Sequence, residues 1–154
     1  MAVAYYLDTG AAVKGYVSER GSRRVVQLLE GDAGYELYLS RIGTVEIAAA
    51  IFGKVRAGEA RSGEALSAVT RLRADVDAVY RVVEVDPAMA DRAIEVAAHH
   101  RLRACDCLQL AAALLLQEQR DALGLAPLTF ASSDRELGAA DRAEGLTVED
   151  PALS

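Results

Sequence analysis

The chain has 154 residues, 52% of them apolar and 26% charged, the size and balance of one globular domain with a substantial core. Its formal charge of −6 argues against a protein that holds nucleic acid by bulk electrostatics, though not against one that does so through a metal cluster and a local basic patch. The longest apolar run, residues 108–116, contains Gln109 and is too short to span a bilayer, and the N-terminus has no signal-peptide pattern, so a cytoplasmic protein is expected.

The first element is a short apolar run, Ala4, Tyr5, Tyr6 and Leu7, that stops at Asp8. Unbroken apolar character over so few residues suits a strand buried on both faces of a parallel sheet. Asp8, Thr9 and Gly10 then lead into a helical turn at residues 11–14. An ionisable residue therefore sits at the carboxyl end of an expected central strand, the edge where open α/β sheets bind ligands. After a break at residues 18–21, residues 23–30 predict a helix with Val25, Val26, Leu28 and Leu29 on its apolar face. Residues 31–34 are turn chemistry.

Residues 36–40 predict a second strand with Leu37 and Leu39 on one face, and Gly43 and Thr44 open a helix that Gly58 ends. Residues 59–80 carry apolar side chains at helical spacing. Residues 82–85 predict a strand ended by Asp86-Pro87, with Pro87 suited to start the next helix, which runs to His99-His100. A loop at residues 101–103 precedes an apolar helix from Ala104 through Gln119. A strand at residues 128–131, a short helix opened by Ser132-Ser133-Asp134 and a strand at residues 146–148 complete the order. Strands alternating with helices predict a three-layer α/β fold with a mainly parallel central sheet flanked by helices. Residues 1–150 form the single expected domain, and residues 151–154 a loose tail.

Four acids take similar places in this outline: Asp8 after the first strand, Glu46 in the first turn after the second, Asp106 at the start of the helix after Arg103, and Asp134 after the strand at 128–131. Each has an ordinary explanation when taken singly. An acid near a helix start caps free N–H groups, and one on a helix face is simply solvated. Together they say more, because three of the four stand among apolar or small neighbours. Clustered carboxylates repel one another, and a cation is what makes the cluster tolerable. Oxygen-only ligands suit magnesium or manganese.

The segment Tyr6-Leu7-Asp8-Thr9-Gly10-Ala11-Ala12-Val13-Lys14, with Glu19 beyond it, resembles the opening of a PIN-domain ribonuclease of the VapC toxin type. Ser40 followed by Thr44-Val45-Glu46 is similar to that family, as is the run from Leu102-Arg103-Ala104-Cys105-Asp106 through Ala113. Phe130-Ala131-Ser132-Ser133-Asp134-Arg135-Glu136-Leu137 matches its fourth acidic station. The resemblance covers nearly the whole chain in order. It implies a PIN-like domain and a magnesium- or manganese-dependent endoribonuclease whose metal cluster is Asp8, Glu46, Asp106 and Asp134, with Thr9 as a supporting hydroxyl. It also implies an RNA substrate, a cognate VapB-type antitoxin and a homodimer. Two positions depart from the pattern: Gln109 where relatives often have His, and Cys105 where an aromatic is usual. Neither is a carboxylate.

Lys14, Arg101 and Arg103 are candidate phosphate contacts, with a solvated surface role equally open to each. His99 and His100 have no nucleophile or second ligand at motif spacing and are expected as cations at a helix C-terminus. Cys105 and Cys107 lack zinc spacing and are expected as free packing thiols. A phosphoacceptor domain would carry a late-strand Lys, which is missing after Leu128, and a dehalogenase-like phosphatase would need Asp at position 10, which is Gly. A catalytically silent PIN-like binding module is the alternative to the ribonuclease.

Overall fold

A computed structural model describes residues 2–31 and 34–154. Asp32 and Ala33, part of the turn expected at 31–34, lie outside the described residues. The strands are β1 (Val3–Leu7), β2 (Tyr35–Ser40), β3 (Tyr80–Val83), β4 (Leu128–Ala131) and β5 (Thr147–Glu149). They form a sheet in the order β3-β2-β1-β4-β5, and every pairing is parallel. The chain leaves β1 for β2 on one side and reaches β4 on the other. That reversal opens a crevice at the carboxyl edge beside β1.

The helices are α1 (Thr9–Ala12), α2 (Ser22–Leu29), α3 (Arg41–Arg56), α4 (Ser62–Ala78), α5 (Pro87–His99), α6 (Ala104–Ala122) and α7 (Arg135–Ala143). Side-chain alternation divides β1 between two cores. Tyr5 and Leu7 join Leu37 and Leu39 under α2, α3 and α4. Ala4 and Tyr6 join Leu128 and Phe130 under α5, α6 and α7. The expected three-layer α/β architecture is therefore the observed one, with β1 covered on both faces. Among the described residues no helix is long and apolar enough to cross a membrane.

Several boundaries differ from expectation, the strand expected at 82–85 among them, which is found at Tyr80–Val83. Helix α3 begins at Arg41, because the Ser40 hydroxyl caps it by accepting from the Ile42 N–H at 3.1 Å. Glu46 thus lies in the second turn, not the first. Residues 59–61 are not helical but link α3 to α4: Gly58 turns the chain with φ +75°, and the Glu59 N–H closes on the Lys54 carbonyl at 2.9 Å. Tyr80 leaves the expected helix and starts β3, paired with Leu37, because its ring is buried at 6% exposure against the sheet.

Residues 151–154 are not a loose tail. Pro151–Leu153 forms a 3-10 turn with Pro151 buried, and Arg20 Nε donates to the Ala152 carbonyl at 3.1 Å. Gly21 (φ +93°) makes room for this turn, since a Cβ there would stand 2.9 Å from the backbone of Pro151 and Ala152.

Candidate active site

Asp8 extends the β1 ladder by one bond, its N–H donating to the Ala131 carbonyl at 3.1 Å. Asp8 as a whole is 4% exposed. Oδ1 caps α1 by accepting from the Ala11 N–H at 2.6 Å, and Oδ2 accepts from the Ser132 hydroxyl. Burial raises the pKa of this carboxyl to about 6, helped by repulsion from Asp134 and Asp106, despite the hydrogen bonds from Ser132 and Ala11. Capping is thus real, yet it does not account for the charge gathered around Asp8.

Each of the other acids comes from a different element at the same edge. Glu46, half-buried on α3, accepts at Oε1 from Thr9 Oγ1 at 3.0 Å and from Gln109 Nε2 at 3.3 Å. Asp106 stands in the first turn of α6, where the α6 N-terminus favours its charge. Arg103 lies 3.5 Å from its Oδ2. Asp134 caps α7, its Oδ1 accepting from the Leu137 N–H at 3.0 Å. Ser132 ties two stations together, donating to Asp8 while its oxygen accepts from the Asp134 N–H at 3.1 Å.

All four acids line one cavity of about 390 Å³, together with Thr9, Gln109, Lys14 and Arg103. Lys14 is held on the rim by Glu19 at 3.5 Å. A cavity of about 640 Å³ beside α4 contains Lys54 and Arg71 but none of the four acids. Arg101 is not brought to the acidic cavity; it lines another groove with His100 and Glu136. His99 Nδ1 meets the Glu95 carbonyl of α5 at 2.8 Å, whereas His100 Nε2 reaches Glu144 at the end of α7 at 2.7 Å. Cys105 and Cys107 are free, with Cys107 buried.

Asp141 escaped the sequence reading. It is fully buried on α7, and neither carboxylate oxygen has a hydrogen-bond partner. Burial, followed by the negative charge of Asp8, pushes its pKa up to about 8, with Arg142 the opposing influence and Asp134 and Asp106 further repulsions. Its distance of seven residues from Asp134 places both on one face of a helix, a signal present in the sequence. Gln109 likewise stands three residues after Asp106, on the same face of α6.

The donors facing the cavity are carboxylate oxygens, the ligand type that magnesium and manganese take. Among the described residues, no group of three or more His, Cys, Asp or Glu side chains is arranged to hold an ion by itself. Magnesium commonly binds through one or two carboxylates and keeps several waters, so the donor set fits such an ion with water completing its shell.

The PIN domain family matches residues 5–142 of the chain. Among solved structures, the chain is similar to FitAcB from Neisseria gonorrhoeae (20% identity, TM-score 0.64, covering 96% of this chain and 97% of that one). It is similar to PAE2754 from Pyrobaculum aerophilum (20%, TM-score 0.61, covering 96% and 85%) and to a toxin–antitoxin complex from Klebsiella pneumoniae (15%, TM-score 0.62, covering 96% and 97%). No curated protein sequence matches it. At these identities the likeness between structures is one of fold, and the family match spans most of the chain: it belongs to the PIN-domain family.

Proposed function

We propose that the protein is a magnesium- or manganese-dependent endoribonuclease acting as the toxin of a toxin–antitoxin pair. The observation that carries this reading is the convergence of Asp8, Glu46, Asp106 and Asp134, from four separate elements, on one cavity with Lys14 and Arg103 at its side. The likeness in fold to toxin–antitoxin complexes from Klebsiella pneumoniae and, as VapBC2, Rickettsia felis supports the toxin assignment.

In this reading Asp8 and Asp106 are the principal metal ligands, and Glu46 and Asp134 complete the set directly or through water. A divalent cation held by these residues would lower the pKa of a bound water and offset charge on a phosphodiester. Thr9 orients Glu46 through its hydroxyl, and Ser132 orients Asp8. Lys14 and Arg103, which line the same cavity, are the candidate phosphate contacts. Arg101 drops out of this set because it lines a different groove. The antitoxin would present a basic side chain to the four carboxylates. Exposed apolar side chains such as Val45 and Leu66 offer a surface for a homodimer, which sedimentation of the purified protein would detect.

The test is cleavage of a mixed RNA pool by antitoxin-free protein with magnesium, manganese or chelator, beside Asp8→Asn. Metal-dependent cutting that the variant loses is the expected result. Folded wild-type protein that cuts no RNA in the pool would favour the silent binding module.

A further inference from the structure

Gln109 is 2% exposed on α6, and its amide is satisfied at both ends. Oε1 accepts from the Tyr6 hydroxyl at 2.5 Å, while Nε2 donates to Thr9 Oγ1 at 3.2 Å and to Glu46 Oε1 at 3.3 Å. Chemistry settles the orientation of the amide. An ionised carboxylate oxygen only accepts, so the nitrogen must face Glu46 and the carbonyl must face the Tyr6 hydroxyl. Tyr6 is itself immobilised, fully buried on β1 with its ring stacked on Phe130 at 5.3 Å between centroids. Thr9 Oγ1 donates to the same Glu46 oxygen at 3.0 Å. Two neutral donors therefore converge on Oε1, and among the described residues Oε2 has no hydrogen-bond partner and no cation pairs with Glu46.

We propose that Gln109, braced by Tyr6, is a positioning residue that saturates one oxygen of Glu46 and leaves the other for a divalent cation in the acidic cavity. The proposal rests on the metal-dependent reading above and adds a residue to it. A neutral amide orients a carboxylate without cancelling its charge, which a Lys or Arg at this place would do. Outer partners of this kind set metal affinity by fixing the ligand's orientation before the ion arrives. The relay also joins three elements, β1 through Tyr6, α6 through Gln109 and α3 through Glu46, so the ligand is referenced to the centre of the sheet.

The competing explanation is that Gln109 exists only to satisfy a buried tyrosine hydroxyl. Gln109→Met keeps the side-chain length and removes the donor and acceptor, leaving that hydroxyl with Ser40 alone beside it, and is expected to lower stability. The double variant Tyr6→Phe/Gln109→Met removes the under-partnered hydroxyl as well, so its thermal midpoint should recover. The measurement is the manganese dissociation constant of the full-length, metal-stripped protein by titration calorimetry, with the thermal midpoint read on each variant.

The double variant should bind manganese about 10–100-fold more weakly than wild type even though its midpoint recovers. Gln109→His keeps one acceptor for Tyr6 and one donor for Glu46, and should retain most of the affinity at pH 8. Wild-type affinity in the double variant, or a loss in Gln109→His as large as in Gln109→Met, would overturn the positioning role. Wild-type protein that binds no manganese, or binds it equally well as Asp8→Asn, would instead overturn the metal reading and this inference with it.

Discussion

The Ser132 hydroxyl donates to Asp8 Oδ2 across 124 residues of chain, so β4 directly supports the acid that β1 delivers to the sheet edge. This bond opposes the rise in the Asp8 pKa caused by burial. Ser132→Ala should move the titration of Asp8 in metal-free protein further up and weaken divalent-ion affinity by about 10-fold or more. Carboxyl NMR titration and calorimetry would read the two effects separately.

Asp8→Asn should separate activity from stability. In wild-type protein Asp8 has a folded pKa of about 6 against 3.8 in the unfolded chain, so its ionisation disfavours the folded state as pH rises through that interval. Removing the charge should abolish cleavage yet leave the metal-free protein as stable as wild type at pH 7.5, or more stable by about 1–3 kcal/mol. Denaturant unfolding in chelator checks the second half of this expectation.

Asp141, buried without a partner, should make the stability of the fold depend on pH. Its folded pKa of about 8 lies above the ordinary 3.8, so between those values the folded state holds a proton that the unfolded state has released. Stability from this group is present at low pH and lost as pH rises toward 8. Asp141→Asn should flatten that slope, gaining on the order of a few kcal/mol relative to wild type at pH 8 and little at pH 4. Urea unfolding at a series of pH values measures it.

Arg103 is largely exposed, whereas Lys14 is mostly covered. If Arg103 contacts a phosphate, Arg103→Ala should raise KM for RNA several-fold at low salt. It should also reduce the slope of log affinity against log salt by about 1. An unchanged slope would return Arg103 to the solvated surface.

Gly21→Ala should destabilise the fold without touching the site. The substitution puts a side chain at φ +93° and 2.9 Å from the backbone of Pro151 and Ala152. A loss of roughly 1–3 kcal/mol is expected, lowering the melting temperature by about 2–4 °C per kcal/mol. Unchanged melting would mean that the 3-10 turn is free to move away.

Local sequence carried much of this architecture. The apolar run ending at Asp8, the alternation of Leu37 and Leu39, the Asp86-Pro87 helix start and the Asp134 cap each depend on a few neighbouring residues, and each is found where short-range physics puts it. Boundaries set by partners distant in sequence were illegible. Tyr80 reads as the last residue of a helix until Leu37 pairs with it, and residues 151–154 read as a tail until Arg20 and Gly21 meet them. Asp141 and Gln109 are ordinary helix residues by spacing alone. Their significance comes from what surrounds them: no partner for Asp141, and Tyr6, Thr9 and Glu46 around Gln109.

By itself the sequence determined which elements form and which acids stand near their ends, because helix starts, strand alternation and turn chemistry are encoded within a few residues. Only the tertiary structure decided that four of those acids share one cavity while Arg101 does not, and that one further carboxylate is buried beside them without a partner. The reason is the parallel register of β2, β1 and β4. It brings their carboxyl ends to one edge, so residues more than a hundred positions apart meet at hydrogen-bond distance.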